Sequence, residues 1–563
     1  MPFLLRGATA VLCTLACLPA LAQQVPPPPT AGRILQQVTP APPLPKKPES
    51  ETILPARPER PATSLPDSGV RFTLKTVRFK GNSIYSEPQL RSIVAQYLGR
   101  SIGMRELQAI ADAVVLKYQR DGYFLANAFF EPQDVSGGEV QVSVLEGTLG
   151  RVRVERAPDA PVRQGLVNGF TRRLVSGKPL NQRDLERAML LLSDLPGIVA
   201  QASLEAGTTP GTTDLVIDIS KGRRLRGSLD ADNYGTYSTG DYRIGGALRF
   251  MSPLGLGDAL DVRPLVSSDG GVLFGRIGYE LPVGSRGARL SAGLSSLTYE
   301  LQQELAALGG KGYATVAELG LSYPMIRSRG ENLFLQAGVV GKKLQDRYSQ
   351  VGFESDKRVA LGSLGFQYER RDRVLHGGYN SVGATLYAGN LWLDTDAERD
   401  FDQGPNGRDT LGAFTKLGFS LSRLQAIRGP FTAFLGVSGQ IAGKNLDNAE
   451  RIALGGPYAV RAYPASEGIV DQGWIATAEL RWSLTSDLTF SVFYDAARGQ
   501  ISKEPPSGLE NDVSLDGAGI GVSWIRPGSF SLRASVAWPL SGAALSDPRD
   551  RDPMFLGQAV KIF

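Results

Sequence analysis

The 563-residue chain has two cysteines and one histidine, and both cysteines, Cys13 and Cys17, fall in an N-terminal apolar stretch. Once that stretch is removed, neither a disulfide nor a thiolate metal site can form. His376 sits in Leu375-His376-Gly377-Gly378, a turn, and reads as a surface residue. Phosphate-binding Gly-x4-Gly-Lys-Ser/Thr, His-Glu-x-x-His and Gly-x-Ser-x-Gly are all missing, so no catalytic residue, metal or cofactor is expected. Charge of one sign is also lacking: 61 basic residues face 56 acidic ones for a formal net charge of +5, with no dense basic run, which argues against a nucleic-acid partner. After the leader no long uncharged apolar segment occurs, so the chain has no spanning helix. Any membrane insertion must then be as a closed barrel.

Glycine is what the sequence has in quantity, with 66 residues, and aromatics are scattered singly among short alternating runs. That pattern favours an all-β protein with many turns. At the N-terminus Arg6, the apolar run Ala8 to Leu21 and the small-x-small site Ala20-Leu21-Ala22 form a secretory signal peptide over residues 1–22. Residues 23–69 are dominated by proline, including Pro26 to Pro29, and are expected to be an extended linker. Within it Ala31 to Gln37 could make about two helical turns, too little to persist alone in water. A solvated linker is the reading.

Two similar α/β modules follow, at 70–148 and 149–222. In the first, Phe72-x-Leu74-x-x-Val77-x-Phe79 reads as a strand ending at Gly81-Asn82, before helical patterns over Glu87 to Leu98 and Met104 to Asp121. Gly122-Tyr123 stops the second helix, and alternating Val140, Val142 and Val144 leads to Glu146-Gly147. This order, with Gly81, Asn82, Gly122, Tyr123, Glu146 and Gly147 at the turns, resembles a POTRA (polypeptide-transport-associated) domain. The second module has a strand at Val152-x-Val154 and a helix capped by Asn181 with Leu185, Met189, Leu192 and Leu195 on its apolar face. Strands near Val199 to Ala206 and Asp214 to Ser220 complete it. Exposed strand edges in such modules suit strand addition by an extended polypeptide.

From residue 223 to 563 the pattern becomes segments of about ten residues with period two, the signature of a transmembrane barrel. Sixteen antiparallel strands are expected, starting near residues 226, 242, 258, 271, 289, 312, 332, 357, 381, 412, 432, 474, 488, 512, 530 and 554. The first strand starts on the module side, which makes 390–408 and 443–473 long loops at the other end. Within the second lies Leu454-Gly455-Gly456-Pro457-Tyr458-Ala459-Val460-Arg461-Ala462-Tyr463-Pro464. Strand parity puts Glu479 and Asp495 on the polar, inner face of their segments.

The string Gly-Gly-Pro-Tyr-x-Val-Arg-x-Tyr at 455–463, followed by Phe493-x-Asp495, resembles the lid-loop and strand motifs of the two-partner secretion transporters (TpsB family). These include the haemolysin secretion/activation and filamentous haemagglutinin transporters, within the superfamily of POTRA domains plus outer-membrane β-barrel. The resemblance implies an outer-membrane pore, POTRA domains in the periplasm, outer-membrane lipids around the barrel and a large exoprotein as substrate. It also implies a lock between Arg461 and Asp495, a lid-loop motif of Gly455, Gly456, Pro457, Val460 and Tyr463, and a lumen wall including Glu479 and Phe493. The terminal Phe563 resembles the address read by the barrel assembly machinery. The family usually carries glycine where Ala462 stands and often where Ala497 stands. An assembly factor that inserts other barrels is the alternative reading; a passive porin would need neither module.

Overall fold

The computed structural model describes residues 29–38 and 71–563, apart from 210, 406 and 506–509. The signal peptide expected over 1–22, and the linker expected over 23–28 and 39–69, lie outside the described residues.

In the first module β1 (Phe72–Thr73), β2 (Thr76–Lys80), α2 (Glu87–Val94), β3 (Ser101–Ile102), α3 (Met104–Arg120), β4 (Asn127–Phe129) and β5 (Glu139–Leu145) build a sheet of order β2-β5-β4 covered by two helices. The single strand expected over 72–79 is two: β1 leaves to pair with β3, while β2 runs parallel to β5. Both helices start with local caps. Gln89 accepts from Ser86 N at 2.9 Å, and Glu106 accepts from Gly103 N at 2.7 Å. Leu90, Val94, Ile110, Val114 and Tyr118 pack on Val77, Val140 and Val142.

The second module contains β6 (Thr148–Arg156), α4 (Gln164–Thr171), α5 (Gln182–Ser193), β7 (Ile198–Ala206) and β8 (Thr212–Lys221), in sheet order β6-β8-β7. Asn181 caps α5 by accepting from Arg183 N at 2.9 Å. Sequence periodicity missed α4, because its eight residues offer barely two turns of apolar repeat.

The barrel closes from sixteen strands. They are β9 (Leu225–Asp232), β10 (Arg243–Met251), β11 (Ala259–Ser267), β12 (Val272–Val283), β13 (Ala288–Glu300), β14 (Gly310–Arg327), β15 (Glu331–Tyr348), β16 (Phe353–Asp372), β17 (Gly378–Leu393), β18 (Gly412–Arg428), β19 (Phe431–Ala442), β22 (Gln472–Ser483), β23 (Leu488–Gln500), β24 (Asp512–Arg526), β25 (Phe530–Pro539) and β26 (Met554–Ile562). Two more short strands, β20 (Ile452–Ala453) and β21 (Ile469–Val470), pair with each other inside the 443–471 loop. All sixteen starts fall within four residues of the sequence expectation, β16 being furthest off. Heights are unequal. β14, β15 and β16 have 18, 18 and 20 residues, whereas β9, β10 and β11 have 8, 9 and 9. Closure between β26 and β9 rests on five register pairs, Gln558 to Ile562 against Asp232 to Ser228, and Phe563 and Gly227 exchange backbone bonds at 3.0 Å below them.

Outward positions are apolar and exposed, among them Leu294, Leu319, Val339, Leu364, Leu386, Leu435, Val492 and Ile520. Trp482 with Phe490 and Trp524 with Phe530 cluster at the module end of the wall, as interfacial girdles do. The second module is fastened to the turns at that end. Asp194 accepts from Arg327 Nε and Nη2 at 2.8 and 2.7 Å and its carbonyl accepts from Arg289, while Glu186 accepts from Arg329 N at 2.7 Å.

Candidate functional site

Two segments fill the lumen. The first corrects the solvated-linker expectation: α1 (Ala31–Val38) is a helix buried inside the barrel, with Ala31, Ile34, Leu35 and Val38 against Phe274, Leu297, Val316 and Leu344. Eight residues are too few for helix stability in water. Here the wall supplies what the helix lacks. Asp346 accepts from Ala31 N at 2.7 Å, Tyr348 donates to Pro29 O at 2.6 Å, and Arg243 Nη1 donates to Gln37 O at 3.0 Å.

The second is the 443–471 loop, which turns back into the lumen. Its base is held by carboxylates on wall lysines: Glu450 lies 2.6 Å from Lys342 and 2.8 Å from Lys416, and Asp447 lies 2.8 Å from Lys357. Glu398, from the short α6 (Asp396–Gln403), shares Lys357 at 3.3 Å. Just above, Asp471 is fully buried between Arg408 and Arg451, at 2.9 and 3.0 Å. Deep burial lowers the Arg451 guanidinium to about 9, and that of Arg33 in α1 to about 10.

From this base the loop carries its motif to the opposite wall. Gly456, at φ +119°, lets the chain double back so that its N–H bonds Val460 O at 3.2 Å. Pro457 and Tyr458 form the tip, and Tyr458 meets Tyr234 edge-on at 5.8 Å. Val460, Ala462 and Tyr463 bury against Phe493, Ala497, Leu515 and Ala537. The wall makes room with glycine: a Cβ on Gly517 would stand 2.5 Å from the Ala462 methyl, and one on Gly519 would stand 2.4 Å from the Phe493 ring. Gly517 thus accommodates the loop, and Gly519 the Phe493 ring on which the loop packs. Ala462 stands where the family usually has glycine, and its own φ is not positive.

At the centre, Arg461 Nε and Nη2 donate to the two Asp495 oxygens at 2.8 and 2.9 Å, and its backbone N–H donates to Oδ2 at 3.2 Å. Nη1 donates to Glu479 at 3.1 Å, and the guanidinium lies 3.3 Å from the Phe493 ring centre. Thr477 Oγ1 donates to Asp495 at 2.9 Å and Arg481 Nε to Glu479 at 2.9 Å, orienting both acids. The Asp495 side chain is 1% exposed, so its charge is satisfied by protein alone. Plug and loop also touch: Arg33 Nη2 donates to Ala465 O at 2.8 Å, Gln36 Nε2 to Ala449 O at 2.7 Å, and Gly32 packs on Ala449.

The remaining sequence-selected residues lie away from the lumen. Gly81, Asn82, Gly122, Tyr123, Glu146 and Gly147 meet in the first module, where Glu146 accepts from Ser83 N, Ile84 N and Tyr118 Oη at 2.7, 2.8 and 2.8 Å. Tyr123 stands edge-on to Tyr118 at 6.2 Å, and Asn82 Nδ2 donates to Tyr85 O at 2.8 Å. These residues tie the module's turns together. Sequence reasoning missed Lys342, Lys357, Lys416, Asp447 and Glu450. Inward parity on β15, β16 and β18 marks the three lysines, but nothing in the sequence pairs them with two particular loop acids.

Comparison with known proteins decides the family. Residues 211–524 match the haemolysin secretion/activation protein ShlB/FhaC/HecB family, and residues 72–147 match the ShlB-type POTRA domain. The chain belongs to this family. The transporter is 26% identical over 512 residues to the heme/hemopexin transporter protein HuxB of Haemophilus influenzae, covering 88% of each chain. It is also 26% identical over 505 residues to the outer membrane transporter CdiB of Escherichia coli, covering 85% of this chain and 81% of that one. The solved CdiB structure from Escherichia coli superposes with a TM-score of 0.68 at 23% identity, covering 91% and 94% of the two chains. The protein is therefore an outer-membrane two-partner secretion transporter with periplasmic POTRA domains and an exoprotein substrate.

Proposed function

We propose that α1 and the 443–471 loop are the two closures of the export pore, and that Arg461 with Asp495 and Glu479 is the lock holding the loop in its closing position. The observation carrying this reading is the Arg461 constellation itself: a bidentate pair to Asp495, a third acid and an aromatic face beneath one guanidinium. Such geometry uses the planar fork of arginine, which lysine lacks. A loop needed only as a surface connection has no use for a satisfied charge cluster buried against the far wall.

The periplasmic region, residues 70–148 and 149–222, receives the unfolded exoprotein by strand addition. Supporting this, among the described residues β7 pairs only with β8, and its outer edge runs nine residues, Ile198 to Ala206. Residues 1–22 direct export and are cleaved. Phe563, 55% exposed at the end of the closing strand, serves as the assembly address, and outer-membrane lipids cover the outward apolar band. The chain does no catalysis. The names of its relatives speak of heme/hemopexin and hemolysin transport, and for this chain the cargo class is a large exoprotein of that kind.

The test is co-expression with a candidate exoprotein bearing an N-terminal secretion domain. Export into the medium should require the transporter and its residues 70–222. Export that proceeds without them, or a transporter whose loss instead depletes other outer-membrane barrels, sinks the reading and favours an assembly factor.

A further inference from the structure

The outer surface of the barrel carries a groove of about 480 Å³ across β14 to β17, lined by Leu319, Val339, Gly362, Leu364, Leu386 and Ala388 among others. Strand register fixes what lies above it. One outward step toward the extracellular end, Ala317, Gly341 and Ala360 stand side by side, so the groove continues without obstruction. A further step up comes the row Thr315, Lys343, Arg358 and Trp392. Val339 to Lys343 is four residues, or about 13 Å along the strand.

Lys343 and Arg358 are direct cross-strand partners, both exposed. Like charges so placed repel unless something negative lies between them. Asp394 takes Arg358 Nε and Nη2 at 2.9 and 2.7 Å, which leaves Nη1 for another acceptor. For Lys343 no ion pair is present among the described residues; Asp356, on the next row up, lies opposite Gln345 rather than Lys343. Trp392 and, one row higher, Tyr313 mark this height as the extracellular interface of the bilayer. The groove is thus an apolar channel running down into the membrane from a pair of cations at headgroup level.

We propose that this face binds one phosphate-bearing anionic lipid of the outer leaflet, with an acyl chain in the groove and the phosphate between Lys343 and Arg358. The inference rests on the outer-membrane placement of the barrel and is independent of the lumen lock. A phosphate offers several anionic oxygens and can serve the Lys343 ammonium and the free Arg358 nitrogen together. A zwitterionic headgroup brings its own cation to the same place. The apolar length alone would not distinguish the two.

The test is native mass spectrometry of the intact, detergent-purified transporter titrated with dioleoyl phosphatidic acid or dioleoyl phosphatidylcholine. The phosphatidic acid should be retained at roughly tenfold lower concentration or better, since each surface cation contributes to holding an anionic headgroup. Lys343→Gln with Arg358→Gln should abolish that preference. Gly341→Leu gives a second handle: its Cβ meets nothing within 4 Å, so the barrel tolerates it, while the side chain fills the upper groove and should lower retention of phosphatidic acid. Equal retention of the two lipids, or wild-type retention by Gly341→Leu and by the charge variant, overturns the proposal. Should the charge variant fail to show heat-modifiable migration, Gly341→Leu decides alone.

Discussion

Replacing Arg461 by alanine removes the only cation among the described residues that touches Asp495, whose side chain is 1% exposed. The acid keeps two hydrogen bonds, from Thr477 Oγ1 and from the backbone N–H of residue 461, while Glu479 keeps Arg481. Two charges have therefore lost a partner, but only one is left both buried and uncompensated. Breaking a buried pair in this way costs about 3–5 kcal/mol, and each ~1.4 kcal/mol is tenfold in population. The docked loop should lose roughly two to three and a half powers of ten against conformations in which Asp495 reaches water. Arg461→Lys should fare nearly as badly, because one ammonium cannot meet both Asp495 oxygens and Glu479 while lying flat on Phe493. Downstream of Cys17 the sequence has no cysteine, so a single Ala459→Cys reports the loop without background. Ala459 is 9% exposed in the docked loop. Maleimide labelling at that site should accelerate at least about a hundredfold in the Arg461→Ala background, with heat-modifiable migration unchanged and export strongly reduced. Unchanged labelling together with normal export would refute the reasoning, and loss of the barrel would show that Arg461 serves folding instead.

Three other outcomes follow from the same geometry. Lys342→Met with Lys416→Met strands Glu450, which is 2% exposed, and should cost about 3–5 kcal/mol of loop-base stability by denaturant titration; adding Glu450→Leu should recover most of it. Gly32→Leu forces its Cβ to 2.4 Å from the Ala449 Cβ, so α1 cannot seat, and single-channel conductance in planar bilayers should rise; unchanged conductance would show that α1 does not seal the pore. Asp194→Ala releases Arg327 while Arg289 keeps the backbone carbonyl, and spin-label distances from the second module to the barrel should broaden while each part stays folded.

Much of the fold was legible because each barrel strand shows a face to lipid and a face to the lumen, so parity alone orders the side chains. That is why Asp495 and Glu479 fell on the inner wall from spacing, and why Arg461, in a loop too long for a turn, drew attention. The plug was not legible. A period-3.6 stripe at Ala31, Ile34, Leu35 and Val38 is there to see, yet nothing local says that a wall more than 200 residues away will cover it and that Asp346 will cap it. The lysine and carboxylate ladder at the loop base was hidden for the same reason. Charges at 342, 357 and 416 become partners of 447 and 450 only once strands are closed into a ring.

The unequal strand heights have a consequence for the shape of the exit. A membrane crossing needs only about 9–11 tilted residues, which β9 to β11 barely supply and which β14 to β16 exceed by a wide margin. The surplus stands clear of the bilayer beyond the Lys343 row as a parapet of strand on one flank of the mouth, whereas the other flank carries the 233–242 loop, tied through Asp241 to Arg549 and Arg551. The rim is therefore uneven: a polypeptide leaving the lumen meets a hydrogen-bonded strand wall along β14 to β16 and a loop, 233–242, above β9 and β10, and its first contacts outside the cell are decided by which side it leaves from.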